Sequence, residues 1–271
     1  MTTIARKVGT LLGSAIALVA LHLAGPATAD AAAWKPSQVQ RQFDIQLGEP
    51  FNLARPVDIL ALDLFGTTSE RLQHLHAKGV SPVCRIAAGL WENWRSDANR
   101  FPREALGRSV AGWQGQRWLD VRHPGLRPIL EKRLDLCRER GFDGVLLAGL
   151  DGYAHATGFE LEPADQLAFN RWLAEAAHAR GLGVGLLGNL AQAAELATAY
   201  DFLVADGCAM VADGCRAAAE PFHAAGKPVY LVAYTNSPRK MDTACDAAAE
   251  LGLPLIFKTQ YPNGKLHRRC G

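Results

Sequence analysis

The sequence predicts a (β/α)8 barrel whose first β-α unit is irregular. Three observations predict it. Eight short apolar runs recur along the chain, many of them β-branched, as buried parallel strands are. Helical patterns separate most of these runs. Five of the runs are approached through a glycine that ends the preceding segment, at Gly79, Gly141, Gly181, Gly226 and Gly252. Glycine just past a helix supplies its left-handed cap. Strands alternating with helices at this length suit a closed parallel barrel. A doubly wound open sheet is the alternative, weakened because no GxGxxG fingerprint follows the first run.

Residues 1–29 read as a leader rather than fold. Arg6 and Lys7 form a basic start, an apolar stretch runs from Leu11 to Ala24, and "GPATAD" offers a small-residue cleavage site after Ala29. That is the pattern of a secretory signal peptide, and the apolar stretch is short for a membrane span. The protein is therefore expected to be secreted or periplasmic, with 30–271 as one barrel domain and no membrane contact after cleavage.

The first strand is "FDIQL" (43–47) and the second "VDILALDLF" (57–65). The stretch between them is too short for a full helix, hence the irregular unit. A helix over 68–78 leads to "PVCRIAA" (82–88). The connection 89–124 is long and must carry short pieces of its own. A helix over 125–140 precedes "GVLLAG" (144–149). The helix over 163–180 sets Leu167, Trp172, Leu173 and Ala177 on one side and has Pro163 near its start, a favoured proline position. "GVGLLGN" (183–189), a helix over 190–198, "DFLVAD" (201–206) and a helix over 215–225 follow. "PVYLVAY" (228–234), a helix over 238–251 and "LPLIFK" (253–258) complete the series.

The chain is 49% hydrophobic and 21% charged, with net charge +2. This balance gives no electrostatic drive toward nucleic acid or an anionic membrane. An exported chain can form disulfides. The six cysteines allow fifteen full pairings. Cys208 with Cys215 is favoured because the loop between them is short. Cys84 and Cys137 lie in apolar runs and read as buried thiols. Neither the cysteines nor the histidines show metal-ligand spacing, so no metal and no cofactor are expected.

Barrel enzymes work at the carboxyl ends of their strands. Those ends, with the loops beyond, offer Asp63, Arg85, Glu92, Arg95, Asp151, Tyr153, Asn189, Asp206, Tyr234, Lys258 and Gln260. Trp91, Trp94, Trp113 and Trp118 stand in the long connection. Carboxylates, amides and aromatic platforms suit a carbohydrate, whose apolar face packs on rings while its hydroxyls need polar partners. Each tryptophan reads equally as core under a long loop. Glycoside cleavage needs two carboxyl groups flanking one bond. Asp151 with Asp206 is the favoured catalytic pair. Asp63, Arg85, Glu92, Tyr153, Asn189, Tyr234 and Lys258 are the candidate substrate-binding residues. A strand-tip aspartate can also serve structure by bonding loop amides or an arginine, and Asp63 carries that reading equally. No GxSxG elbow or phosphate-binding loop is present.

Several ordered motifs carry a resemblance over nearly the whole mature chain. They are "WKPSQVQRQFDIQL", "VDILALDLFGTTSERLQHLHAKGVSPVCRIAAGLWENWRSDANRFP", "LGRSVAGWQGQRWLDVR", "GFDGVLLAGLDGYAHATGFELEPADQLAFNRWLAEAAHARGLGVGL" and "DFLVADGCAMVADGC". Together they resemble glycoside hydrolase family 114, the endo-α-1,4-polygalactosaminidase-like barrels. The resemblance implies export, a barrel and a site for a galactosamine-containing or related polysaccharide. It also implies an aspartate where this chain has Ala148, with Asp151 retained. The family's Lys-Asn after the fifth strand corresponds to Gly188-Asn189. Its Asn-Glu-Gln-Cys corresponds to Ala205-Asp206-Gly207-Cys208, and its Glu-Tyr to Ala233-Tyr234. The losses fall at strand tips, where the site is, rather than in the core.

Three functions are compatible with this sequence. One is a divergent glycosidase using Asp151 and Asp206 on an aminosugar polymer, acting as a monomer. Another is a carbohydrate-binding barrel without turnover. The third is a secreted structural barrel with no sugar role.

Overall fold

The structure is a computed structural model. It describes residues 1–3, 33–37, 42–208, 212–235 and 237–270, so the expected leader lies outside the described residues from position 4 onward. Every element below belongs to one compact unit, Ala32–Gly271.

Eight parallel strands form the main sheet, in the order expected. They are β1 (Phe43–Gln46), β2 (Ile59–Asp63), β3 (Ser81–Ala87), β7 (Gly144–Ala148), β8 (Gly183–Leu187), β9 (Phe202–Asp206), β10 (Val229–Tyr234) and β11 (Leu255–Lys258). A short β12 (Arg268–Arg269) pairs antiparallel with β11. The helices are α1 (Ser69–His76), α2 (Arg127–Arg140), α3 (Pro163–His178), α4 (Ala193–Leu196), α5 (Ala212–Ala224) and α6 (Pro238–Leu251). Gly141 and Gly252 end α2 and α6 with left-handed backbone, as the sequence predicts. No helix joins β1 to β2, so the first unit is irregular as expected. The 190–198 segment is shorter as a helix than its pattern suggests, with a 3-10 turn at Leu190–Gln192 before α4.

Strand alternation sorts the apolar residues into two layers. Phe43, Ile45, Ile59, Ala61, Val83, Leu146, Phe202, Val204, Tyr230, Val232 and Ile256 pack together inside the barrel. Their neighbours Leu60, Leu62, Cys84, Val145, Leu147, Leu203 and Leu231 face outward into a second core against the helices. On α3, Leu173 and Ala177 are buried, while Leu167 and Trp172 are half-buried against the same core.

The 89–124 connection folds into an antiparallel sheet of its own. Its strands are β4 (Leu90–Glu92), β5 (Leu106–Ser109) and β6 (Gln116–Leu119), in the order β4-β6-β5.

No regular ladder joins β11 to β1. A single bridge, Gly48 to Asn263, and the bond from Leu47 N to Pro262 O close the upper part of this seam. Arg269 of β12 donates to Gln42 Oε1 just ahead of β1. Between them sits Asp44, fully buried. Asp44 accepts from Lys258 Nζ at 2.8 Å, from Arg55 and from Gln46 Nε2. Burial pushes its carboxyl up, but His267 and Lys258 outweigh this and hold it far below the usual carboxylate range.

Three disulfides are present: Cys84–Cys137, Cys208–Cys215 and Cys245–Cys270. The first corrects the reading of Cys84 and Cys137 as buried thiols. Cys84 points outward from β3, toward α2, which carries Cys137. Among the described residues, no helix is long and apolar enough to cross a membrane.

Candidate active site

The carboxyl ends of the strands surround a cavity of about 580 Å³. Asp151, Asp206, Arg85 and Tyr234 line it, as do Ala148 and Gly188. Strand parity puts them there. Asp206 follows Phe202 and Val204 on the inward face of β9, and Ala148 follows Leu146 on β7.

Asp206 is the perturbed carboxyl facing this space. Burial raises its carboxyl, the nearby negative charge of Asp151 adds to the rise, and Arg85 opposes it, leaving the pKa pushed up to about 6. Desolvation and a like charge both favour the protonated form of a carboxyl. The Tyr234 phenol is raised as well, first by burial and then by the negative charge of Asp206, against Arg85.

Asp151 stands just past the tip of β7 and is about one-third exposed. His155 Nε2 donates to Asp151 Oδ2 at 3.0 Å. The imidazole is itself held by stacking on Trp118, with centroids 4.6 Å apart and planes 19° from parallel. Both His155 and Trp118 line the cavity. His155 is a site residue that sequence reasoning passed over. Its only local signal is the four-residue spacing from Asp151, which a turn at Gly152–Ala154 converts into contact.

Behind the cavity wall runs a buried chain of alternating charge. Asp63 accepts from Arg95, Phe65 N and Gly66 N. Arg95 Nε donates to Glu92 at 2.6 Å, and Glu92 also accepts from Arg85 Nη1 and Gln116 Nε2. Burial pushes the Glu92 carboxyl up, but Arg85 and Arg95 hold it below the usual range. Asp63 and Glu92 therefore support Arg85 and do not themselves line the cavity. The buried Nε of Arg85 has no hydrogen-bond partner among the described residues. Arg85 itself lines the cavity, held from behind by Glu92.

The remaining candidates are placed elsewhere. Asn189 is buried beside the cavity with left-handed backbone and donates to Gln192. Tyr153 packs on the outer core, its phenol raised by burial and by Asp151. Lys258 is fully buried in the seam with Asp44 and Asn263 O, so it is positioned to hold the fold rather than to touch a ligand.

The bare tips are also explained locally. Gly149 has φ +73°, and a Cβ there would lie 2.6 Å from Leu90 Cγ. Gly188 has φ +72°, and a Cβ there would lie 3.2 Å from Asp206 Oδ1. Side chains at these positions would be strained by the backbone and would crowd the wall.

The family model described as glycoside-hydrolase family GH114 matches residues 24–270. A search of curated proteins returns no match. Among solved structures, Ega3 of Aspergillus fumigatus, crystallised as a complex with galactosamine, superposes with a TM-score of 0.81. It is 28% identical, and the match covers 88% of this chain and 98% of that chain. The glycoside hydrolase domain of PelA from Pseudomonas aeruginosa superposes at 0.65 with 18% identity, covering 84% of this chain and 97% of that one. That second likeness is one of fold.

Proposed function

This chain belongs to glycoside-hydrolase family GH114, and from that we propose that it hydrolyses an α-1,4-linked galactosamine polymer by carboxylate acid–base chemistry. One observation carries the reading: two carboxyl groups share one cavity while their surroundings differ. Asp206 is desolvated and holds its proton up to about pH 6, whereas Asp151 is partly exposed and accepts a hydrogen bond from His155. Pairs of groups whose environments diverge in this way supply the acid and the base of one reaction. Asp206 donates its proton to the leaving glycosidic oxygen. Asp151, the second carboxyl, stabilises the positive charge that develops at the anomeric carbon; water adds to that carbon as the glycosidic bond breaks, and the proton it releases replaces the one Asp206 gave. Arg85, held by Glu92, and Tyr234 bind sugar hydroxyls. A galactosamine chain carries protonated amines, and the carboxylate of Asp151 in the cavity wall gives a cationic group a partner of opposite charge. The galactosamine bound to Ega3 supports the same sugar class. Three disulfides support an exported, secreted or periplasmic protein, since such bonds persist in oxidising compartments.

The test is release of reducing ends from α-1,4-galactosaminan by the purified protein. Turnover that disappears in Asp151→Asn supports the reading. Saturable binding without any turnover supports the second reading, a carbohydrate-binding barrel. A specific observation favours that alternative: Ala148 presents only a methyl group to the cavity, at the position where the resemblance implies an acid. If the missing acid limits the rate, Ala148→Asp is expected to raise turnover at least tenfold, the scale on which one acid–base group acts. No gain, with turnover already present, assigns the second carboxyl to Asp151.

His155 has its own expected effect. His155→Phe keeps a ring against Trp118 but removes the donor to Asp151. Hydrogen bonds to charged groups contribute about 1.5–3 kcal/mol, so kcat is expected to fall roughly tenfold to a hundredfold. His155→Gln, which retains a donor, is expected to recover part of the loss. Equal kcat in the wild type and His155→Phe removes His155 from the site.

A further inference from the structure

We propose that Trp113 and Tyr261 form an outer sugar-binding subsite, holding the polymer where it leaves the cavity. The inference rests on the reading of the substrate as a sugar polymer. It concerns rings that no step of the hydrolysis uses.

The first observation is where exposed rings occur. Most large aromatics of the barrel are hidden: Phe43, Tyr200, Phe202, Phe222, Tyr230 and Phe257 are almost fully buried. Among the described residues, the exposed large hydrophobics other than Met1 are Trp94, Tyr234 and Tyr261. Tyr234 lines the cavity. Trp94 packs beside Gly115, in the turn that carries Trp113. Tyr261 is 65% exposed, between Gln260 and Pro262, which both line the cavity with Trp113. Exposed apolar surface gathered at one mouth marks a binding surface rather than scattered surface residues.

The second observation is that the two rings are already arranged. Trp113 comes from the β5–β6 turn and Tyr261 from the loop after β11. Their rings meet edge to face, with centroids 5.3 Å apart and planes at 79°. Each backbone is tied down. Trp113 N donates to Val110 O, and Gln116 N to Trp113 O. Thr259 Oγ1 donates to Tyr261 O, Leu47 N to Pro262 O, and Lys258 Nζ to Asn263 O. Little ordering cost therefore remains when a ligand docks. This gives the buried Lys258 a positioning role: it fixes the loop that carries Tyr261.

The chemistry identifies the occupant. A sugar ring presents an apolar C–H face to an aromatic plane, and a protonated amine is attracted to the same plane. A cavity of about 580 Å³ is the size of a small-ligand site, so a polymer must continue beyond it, and these rings stand at its edge.

The experiment measures binding of α-1,4-galactosamine oligomers, from disaccharide to octasaccharide, by calorimetry and tryptophan fluorescence. The proteins are the wild type, Tyr261→Ala, Tyr261→Phe and Trp113→Phe, each titrated in an Asp206→Asn background so that the oligomers are bound and not cleaved. Wild-type affinity is expected to rise with length beyond the oligomers that fit the cavity. Tyr261→Ala is expected to bind the longest oligomers roughly five- to tenfold more weakly, the scale of one aromatic contact, with disaccharide binding unchanged. Tyr261→Phe and Trp113→Phe, which keep a ring, are expected to stay close to wild type. Equal weakening at every length, or none at any length, overturns the subsite. If the length-dependent gain is lost in Tyr261→Ala but the wild type releases no reducing ends, the subsite stands and the hydrolysis reading fails. If reducing ends are released and Tyr261→Ala binds long oligomers as the wild type does, the reverse holds. A wild type that binds no oligomer overturns both.

Discussion

Asp206→Asn is expected to lower kcat on the polymer by about 10²–10⁴-fold, the range over which a positioned general acid acts, with polymer affinity nearly unchanged. Asparagine keeps the shape of the wall and removes the transferable proton. The wild-type rate is expected to fall as pH rises through about 6, where the Asp206 carboxyl loses its proton. Stability moves in the same sense. The folded pKa is raised from 3.8 to about 6, so the associated stability is fully present below 3.8 and is lost as pH rises through 6. Above that, the folded protein holds a desolvated negative charge. Asp206→Asn is therefore expected to be more stable than the wild type by about 1–3 kcal/mol at pH above 7, with no gain near pH 4. Urea unfolding at the two pH values checks the sign. A variant that keeps its kcat, or that unfolds more readily at high pH, refutes the assignment. A residue that lowers stability while serving the reaction is the expected signature of a functional site.

Asp44→Ala is expected to destabilise the barrel by about 3–5 kcal/mol, the cost of breaking a buried ion pair by removing one partner. Lys258 and Asp44 are both fully buried, and Arg55 and His267 converge on the same carboxyl. Removing it leaves several donors facing one another in the part of the wall that has no ladder. The double variant Asp44→Leu with Lys258→Met is expected to be more stable than Asp44→Ala alone, because it also removes the stranded ammonium. Denaturant midpoints of the single and double variants measure this. A double variant no better than the single would mean that Asp44 acts chiefly through Arg55.

The strands were legible because their signals are local. Apolar runs and glycine caps name β7, β8 and β9 to within a residue or two, and parity then aims Asp206 inward. What escaped the sequence depends on contacts between distant segments. Lys258 shares the inward parity of Ile256, but no regular ladder joins β11 to β1, and the lysine turns to a carboxylate more than two hundred residues away. Asp63 and Glu92 look like substrate-binding groups until Arg95 joins them. The Glu92–Arg95 spacing was visible, yet nothing local shows that Asp63 completes the same network. Cys84 and Cys137 read as apolar positions because both are buried, and burial does not distinguish a thiol from half of a disulfide. His155 required the path of one turn and the position of Trp118, which lies in a separate small sheet.

The left-handed backbone at Gly188 also fixes how the cavity wall can be altered. At φ +72°, with Asp206 Oδ1 only 3.2 Å from where a Cβ would begin, any side chain placed here meets backbone strain and a crowded carboxyl. A lysine introduced at this tip alone is therefore poorly accommodated, and the end of β8 would have to move with it. The glycine keeps this side of the cavity open and leaves the Asp206 carboxyl uncrowded.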